Sequence, residues 1–286
     1  MTGPSLLLTA TARARAMRGR VLVVKLGGSA MEDPAATAAT LESVVALQTL
    51  GVRVVLVHGG GKPIDRAMAA AGLTPKKVAG RRYTDEQTLD IVVRVLGELN
   101  AGIVSRLEAL GGQAQGVADA AAFPISGEKL VLVGDDLMPV DLGRVGKPTT
   151  VDAAYLGDFL DSGIVPVLPS LCLDDEGNWL NVNADTAASA VAGGFDDAAV
   201  IFLTDTPGVL RDKNDPNSRI ESVSVGDAKK LIADGVIDGG MVPKVEACFE
   251  SLDAGATQAV VLDGRVPHAL LAEFVGEKVV GTQIVP

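Results

Sequence analysis

Val21-Leu22-Val23-Val24-Lys25-Leu26-Gly27-Gly28-Ser29 and Val52-Arg53-Val54-Val55-Leu56-Val57-His58-Gly59-Gly60-Gly61-Lys62 are two apolar runs that each stop in successive glycines. Runs of this kind, rich in valine and leucine and without polar alternation, are expected as strands buried in a parallel sheet. Glycines at the strand end bring bare backbone N–H groups to the carboxyl edge of the sheet, where a polyphosphate approaches without meeting a Cβ. The pair points toward a nucleotide enzyme. Glycine pairs after a strand are also frequent in ordinary turns, so the loops alone leave both readings open.

Two common phosphate fingerprints are excluded. The P-loop pattern needs glycine where Leu56 stands and Ser or Thr where Pro63 follows Lys62. The dinucleotide pattern needs glycine at the position of Ile64 and an acidic residue near position 79, and neither is present.

The chain has 286 residues, 48% hydrophobic and 21% charged, enough to bury a large core as one domain or two intimate ones. No apolar stretch approaches the roughly 18 to 20 residues needed to span a bilayer, and Leu6-Leu7-Leu8 is too short for a secretory signal. A net charge of −11 argues against a nucleic-acid or anionic-membrane surface, so a small-molecule partner is expected. Only Cys172, Cys248, His58 and His268 supply soft ligands, without metal-type spacing. Neither a disulfide framework nor a zinc site is expected, and a cytoplasmic location fits. Residues 1–20 carry Arg13, Arg15, Arg18 and Arg20 with no acidic residue before Glu32, a composition shared with organelle transit peptides; a short amphipathic helix is the simpler reading.

Helical and strand signals alternate from residue 21 onward, which predicts an α/β sheet covered on both faces. Asp33-Pro34 opens a helix ended by Gly51, and Pro63 suits the first turn of another that runs to Gly72. Thr84-Asp85-Glu86-Gln87 resembles a capping box before a long helix through Leu110. Residues 113–148 read as hairpins at a sheet edge or over a pocket. A helix near 151–161, strand Ile164 to Leu168 and a hairpin turning at Asp174-Asp175-Glu176-Gly177 follow. Further on come a helix from Asp185, strand Ala198 to Leu203, a polar loop from Thr206 to Ser218, helices near 226–234 and 241–254, strand Gln258 to Leu262 and a helix near 267–275.

Polar residues gather at the ends of apolar elements in four places: Lys25 with its glycines, Arg81-Arg82, Asn181-Val182-Asn183-Ala184-Asp185, and Gly239-Gly240-Met241-Val242-Pro243-Lys244. Singly these read as an edge lysine, a solvated turn or cap chemistry. Together with Asp141-Leu142-Gly143-Arg144-Val145-Gly146 and Leu203-Thr204-Asp205-Thr206-Pro207-Gly208-Val209-Leu210, and in this order, they resemble the amino acid kinase family over residues 21 to 285.

The resemblance implies an open three-layer αβα sandwich with a mainly parallel central sheet, two lobes sharing one sheet. Residues 1–195 would form the lobe for an acylated amino acid and for dimerisation, and 196–286 the ATP lobe. The implied reaction moves the γ-phosphoryl group of ATP to the side-chain carboxylate of N-acetyl-L-glutamate in arginine biosynthesis. Mg²⁺ would travel with the nucleotide, with no tightly bound metal or organic cofactor. Lys25 and Lys244 would flank the phosphoryl group, and Asp185 would orient both lysines. Gly59, Gly60, Arg82, Asn181 and Asn183 would bind substrate. Lys25, Gly27, Gly28, Asp205, Gly208, Met241 and Lys244 would bind ATP.

Tyr83, where many members carry an aliphatic residue, keeps an acetylaminoadipate-type substrate of lysine biosynthesis open as an alternative. A catalytically silent sensor of amino acid or nucleotide is another. The segment from His268 to Glu273 with Gly281-Thr282 is similar to that of arginine-inhibited members, although Val279 stands where glycine is usual. This implies a possible arginine inhibitor and a homodimer or hexamer.

Overall fold

The structure, a computed structural model, describes residues 3–27, 31–78, 80–133, 138–215, 217–276 and 279–286. The main sheet has eight strands: β1 Val21–Leu26, β2 Arg53–His58, β3 Ala114–Gly116, β4 Val165–Pro169, β5 Ala198–Thr204, β6 Ser222–Ser224, β7 Gln258–Asp263 and β8 Thr282–Val285. Their spatial order is β6-β8-β7-β5-β1-β2-β4-β3. All neighbours are parallel except β7 and β8. The mainly parallel sheet expected from the two opening runs is therefore present.

Helices α1 Gly3–Ala16, α2 Pro34–Thr49, α3 Gly61–Ala70, α4 Glu86–Ala109, α5 Ala153–Asp161, α6 Ala184–Gly193, α7 Val225–Ala233, α8 Val242–Asp253 and α9 Ala269–Val275 complete the layers. Alternation along the strands assigns the faces. Val21, Val23, Val55, Val57, Val200 and Phe202 enter one core with residues of α3, α4, α5, α6 and α8. Leu22, Val24, Val54, Leu56, Ile201 and Leu203 enter a second core with α2, α9 and the far end of α4. Each fully buried valine or leucine contributes about 1.5–3 kcal/mol.

A smaller sheet of Trp179–Asn181, Leu171–Leu173, Ile125–Lys129 and Gly146–Val151 lies beyond β4. The hairpin expected to turn at Asp174-Asp175-Glu176-Gly177 pairs Leu171–Leu173 with Trp179–Asn181, and Leu132–Val133 pairs antiparallel with Pro139–Val140 within the 113–148 stretch, whereas the antiparallel pair Lys77–Val78 with Arg81–Arg82 was not expected.

Three sequence expectations are revised. The cap of α4 is Asp85, whose carboxylate accepts from the Thr88 N–H, rather than Thr84. Thr84 is fully buried and turned toward the site. The N-terminal helix exists, but Leu6, Leu7 and Leu8 are exposed and Ala14 is the residue it buries among those described, so its sides do not divide as an amphipathic helix requires. β3, β6 and β8 were not foreseen, because runs of three or four residues carry too little periodicity to read.

Candidate active site

Four adjacent strands, β5, β1, β2 and β4, end on one edge, where the chain passes from one side of β1 to the other. Crevices outside the carboxyl ends of strands at such a switch are the usual ligand sites of parallel sheets. Lys25 follows the parity of Val21 and Val23, so its side chain leaves β1 on the α6 side. There its Nζ lies 2.8 Å from Asp185 Oδ1, with the lysine side chain 14% exposed. Asp185 is in the first turn of α6, and Asn183 caps that helix by accepting from the N–H groups of Asp185 and Thr186.

Lys244 approaches from the first turn of α8 and binds Asp205 Oδ1 at 2.5 Å. A cation at a helix N-terminus opposes the helix dipole, so this end of α8 is built for an anion. The Lys244 hydrogen bond holds the Asp205 carboxyl below the usual carboxylate range, against the effect of burial. The expectation that Asp185 orients both lysines is corrected. Asp185 pairs with Lys25, while Asp205, at the end of β5, pairs with Lys244.

Lys25 and Gly27 are common to two neighbouring cavities. The first is also lined by Asp185, Thr204, Asp205 and Lys244. The second is lined by Gly59, Gly60, Gly61, Arg82, Ser170, Asn181 and Asn183. Gly208 and Met241 line a third cavity with Thr206, Ile237 and Asp238, so the residues expected at the nucleotide divide between two cavities. Gly208 has φ +108°, and a Cβ there would stand 2.6 Å from Thr282 Oγ1. Gly28 lies outside the described residues.

In the second cavity Arg82 Nη2 lies 2.6 Å from Asp65 Oδ1 and donates to the Gly61 carbonyl, and Nη1 lies 3.0 Å from Met68 Sδ. Asn181 Nδ2 donates to Thr84 Oγ1 at 3.0 Å. The two asparagines thus keep one Oδ1 acceptor, on Asn181, and one NH₂ donor, on Asn183, without a partner among the described residues. The Gly59 N–H is spent on the Leu26 carbonyl at 3.1 Å, which corrects its expected role as an anion donor. Space is what Gly59 provides, since its Cβ would meet that of Ala184 at 3.1 Å.

Both cysteines are buried and unpaired. Burial pushes the Cys172 thiol up to about 12 and the Cys248 thiol up as well, which leaves neither as a nucleophile. Among the described residues no group of three or more His, Cys, Asp or Glu could hold a metal ion, and no helix is long and apolar enough to cross a membrane.

The amino acid kinase family model matches residues 20–263. The chain belongs to that family. Among the relatives of this kinase family member are acetylglutamate kinases. That of Brachyspira hyodysenteriae is 39% identical over 92% of the chain and 90% of its own length. That of Methanosphaera stadtmanae is 36% identical over 98% and 96%. A structure of N-acetylglutamate synthase from Neisseria gonorrhoeae complexed with coenzyme A and N-acetyl-glutamate superposes with TM-score 0.81 at 24% identity. It covers all of the chain, which spans 64% of that synthase. Carbamate kinase from Giardia lamblia bound to AMP-PNP gives TM-score 0.63 at 17% identity, covering 93% of the chain and 98% of the other, which shows the shared fold.

Sequence reasoning passed over several residues that this kinase places at the site. Asp65 sits one turn into α3 and meets Arg82, a contact foreshadowed only by its spacing from Gly61. Lys77 lines the second cavity from the strand pair beside Arg82, and Ser170 from the end of β4; Arg81, singled out with Arg82 but given no role, lines it too. Thr84, read as a cap, joins the Arg82 carbonyl to Asn181. Tyr83 does not line the cavity, and its ring packs against Lys76 Nζ at 5.0 Å.

Proposed function

We propose that this protein catalyses ATP-dependent phosphorylation of the side-chain carboxylate of N-acetyl-L-glutamate, giving N-acetyl-L-glutamyl 5-phosphate and ADP, in arginine biosynthesis. The observation that carries the reading is the meeting of two cavities at Lys25 and Gly27, one with Lys244 and one with Arg82 and the two asparagines. The acetylglutamate kinases at 36–39% identity support the choice of substrate.

A carboxylate with pKa near ~4 is ionised at neutral pH, so no general base is needed. Its oxygen attacks the γ-phosphorus as the bond to the β,γ-bridging oxygen breaks, and ADP leaves with that electron pair. The task of the protein is to bring two anions together and spread the charge of the transferring group. Lys25, where the two cavities meet, and Lys244, in the first of them, provide that charge, with Asp185 and Asp205 holding them in place. Arg82 takes the α-carboxylate in exchange for Asp65. The Asn181 Oδ1 and Asn183 NH₂, without partners among the described residues, match the N–H and C=O of an acetamido group. Gly27, Gly208 and Met241 lie along the nucleotide side, and Mg²⁺ enters with ATP as its substrate complex. The lobes divide as 1–195 for acyl amino acid and 196–286 for nucleotide.

Tyr83 stands outside the cavity, which favours acetylglutamate over the longer acetylaminoadipate, and the converging lysines disfavour a silent sensor. The test is ATP-dependent acyl-phosphate formation trapped with hydroxylamine. We expect strong preference for N-acetyl-L-glutamate over N-acetyl-L-aminoadipate, glutamate and aspartate. Preference for the longer acid, or no turnover, overturns the reading.

The same reading includes a homo-oligomer in the cytoplasm, consistent with two unpaired thiols, and inhibition by arginine. A cavity between α1 and α9 lined by Leu6, His268, Leu271 and Gly276 is the place for that inhibitor. Unchanged activity in saturating L-arginine overturns the inhibitor.

A further inference from the structure

We propose that His58 and Asn100 are positioning residues that aim the Gly60 N–H into the transfer site, through a hydrogen-bond relay from the Val167 carbonyl to the Gly59 carbonyl. The inference rests on the reading of the Gly60 cavity as the site of the phosphoryl acceptor. His58 is the last residue of β2, Asn100 belongs to α4, and both side chains are buried.

Asn100 Nδ2 lies 2.8 Å from the Val167 oxygen and 3.1 Å from His58 Nε2. A carbonyl only accepts, so the Asn100 atom facing it is the amide nitrogen, whose second hydrogen points at Nε2. Nε2 is thereby an acceptor, and the neutral ring carries its proton on Nδ1. That atom lies 3.1 Å from the Gly59 oxygen, to which it donates. Burial keeps the ring neutral, lowering its pKa to about 4.

The C=O of Gly59 and the N–H of Gly60 belong to one peptide unit and point in opposite directions. Holding the carbonyl toward the imidazole turns the Gly60 N–H toward the cavity shared with Lys25 and Arg82. Among the described residues this N–H has no partner, whereas that of Gly59 is used within the sheet. Glycine at 116 leaves room for the relay, because a Cβ there would stand 2.4 Å from Asn100 Oδ1. A donor to a developing charge is effective when it is aimed before the reaction.

Asparagine places its NH₂ close to the Nδ1 position of histidine, and glutamine close to the Nε2 position. His58→Asn therefore keeps the donor to Gly59, while His58→Gln keeps more of the volume and loses that donor. We expect kcat within about threefold of the parent for His58→Asn. His58→Gln and Asn100→Leu should fall about 10- to 100-fold, with KM for both substrates within about threefold. A space-filling role predicts the opposite order, and a kcat for His58→Gln equal to or above that of His58→Asn overturns the proposal.

The chain has two histidines, so ¹⁵N-labelled histidine gives two imidazole signals for NMR. At pH 7 the buried ring of the parent is expected as the Nδ1–H tautomer, and an Nε2–H tautomer overturns the relay whether or not any variant folds. This readout needs no turnover, so it stands apart from a failure of the parent to phosphorylate N-acetyl-L-glutamate.

Discussion

Lys25 and Lys244 each carry a carboxylate partner, yet they stand at different depths and do different work. Lys25 rises from a buried strand and is 14% exposed, while Lys244 is 24% exposed at the start of a helix. Lys244→Ala removes a charge whose interaction grows as the phosphoryl group transfers. We expect kcat to fall by about 10² to 10³ with little change in KM, read by steady-state kinetics. Arg82→Ala should instead raise KM for the acyl amino acid by about tenfold or more and leave KM for ATP in place. An effect on ATP alone would reverse the assignment of the cavities.

His58 provides a residue-scale test by pH. Its ring stays neutral in the fold down to about pH 4, against 6.5 for the free side chain. Between those values the unfolded chain binds the extra proton, so this contribution is level above about pH 6.5 and stability falls as pH drops toward 4. Urea titrations should show the parent losing about 2 to 3 kcal/mol more than His58→Asn between pH 7 and pH 4.5. Equal losses would place the proton elsewhere.

At the scale of elements, the segment from Asp141 to Gly146 acts as a brace. Arg144 Nε binds Glu86 at 2.6 Å, the Arg144 N–H donates to the Thr84 carbonyl, and the Arg144 carbonyl accepts from Asn181. The start of α4 and the strand that carries Asn181 are thus tied across one glycine. Gly143 has φ +68°, and a Cβ there would stand 2.2 Å from the Thr84 oxygen. Gly143→Ala should cost about 1 to 3 kcal/mol from backbone strain alone, measured as a drop in unfolding free energy. Displacement of Thr84 should also raise KM for the acyl substrate. The motif was legible as a motif, but its purpose was not, because a brace is defined by partners some 40 to 60 residues away along the chain.

At the scale of the whole molecule, the exposed Leu6, Leu7 and Leu8 lie on a helix packed beside α9. Contiguous exposed apolar residues of this kind mark association surfaces. Light scattering should give a mass of at least twice the 29.2 kDa chain. Removal of residues 1–16 should lower the assembled mass if these leucines join copies, and an unchanged mass assigns assembly to another face.

Much of the architecture was readable along the chain. Strands β1, β2, β4, β5 and β7 are long apolar runs, and proline, glycine and Asp33 mark helix ends by local chemistry that needs no distant partner. The order of polar motifs was sufficient for the family, since each motif sits at the end of its own element. Tertiary structure decided the pairings: Asp185 with Lys25, Asp205 with Lys244, Asp65 with Arg82, and Asn100 with His58. It also decided that the Gly59 N–H closes the sheet while the Gly60 N–H has no partner among the described residues. The physical reason is that propensity, capping and hydrophobic period act over a few residues, whereas an ion pair or a buried hydrogen bond depends on which strands become neighbours. The strand order of the sheet is set by the packing of both cores together.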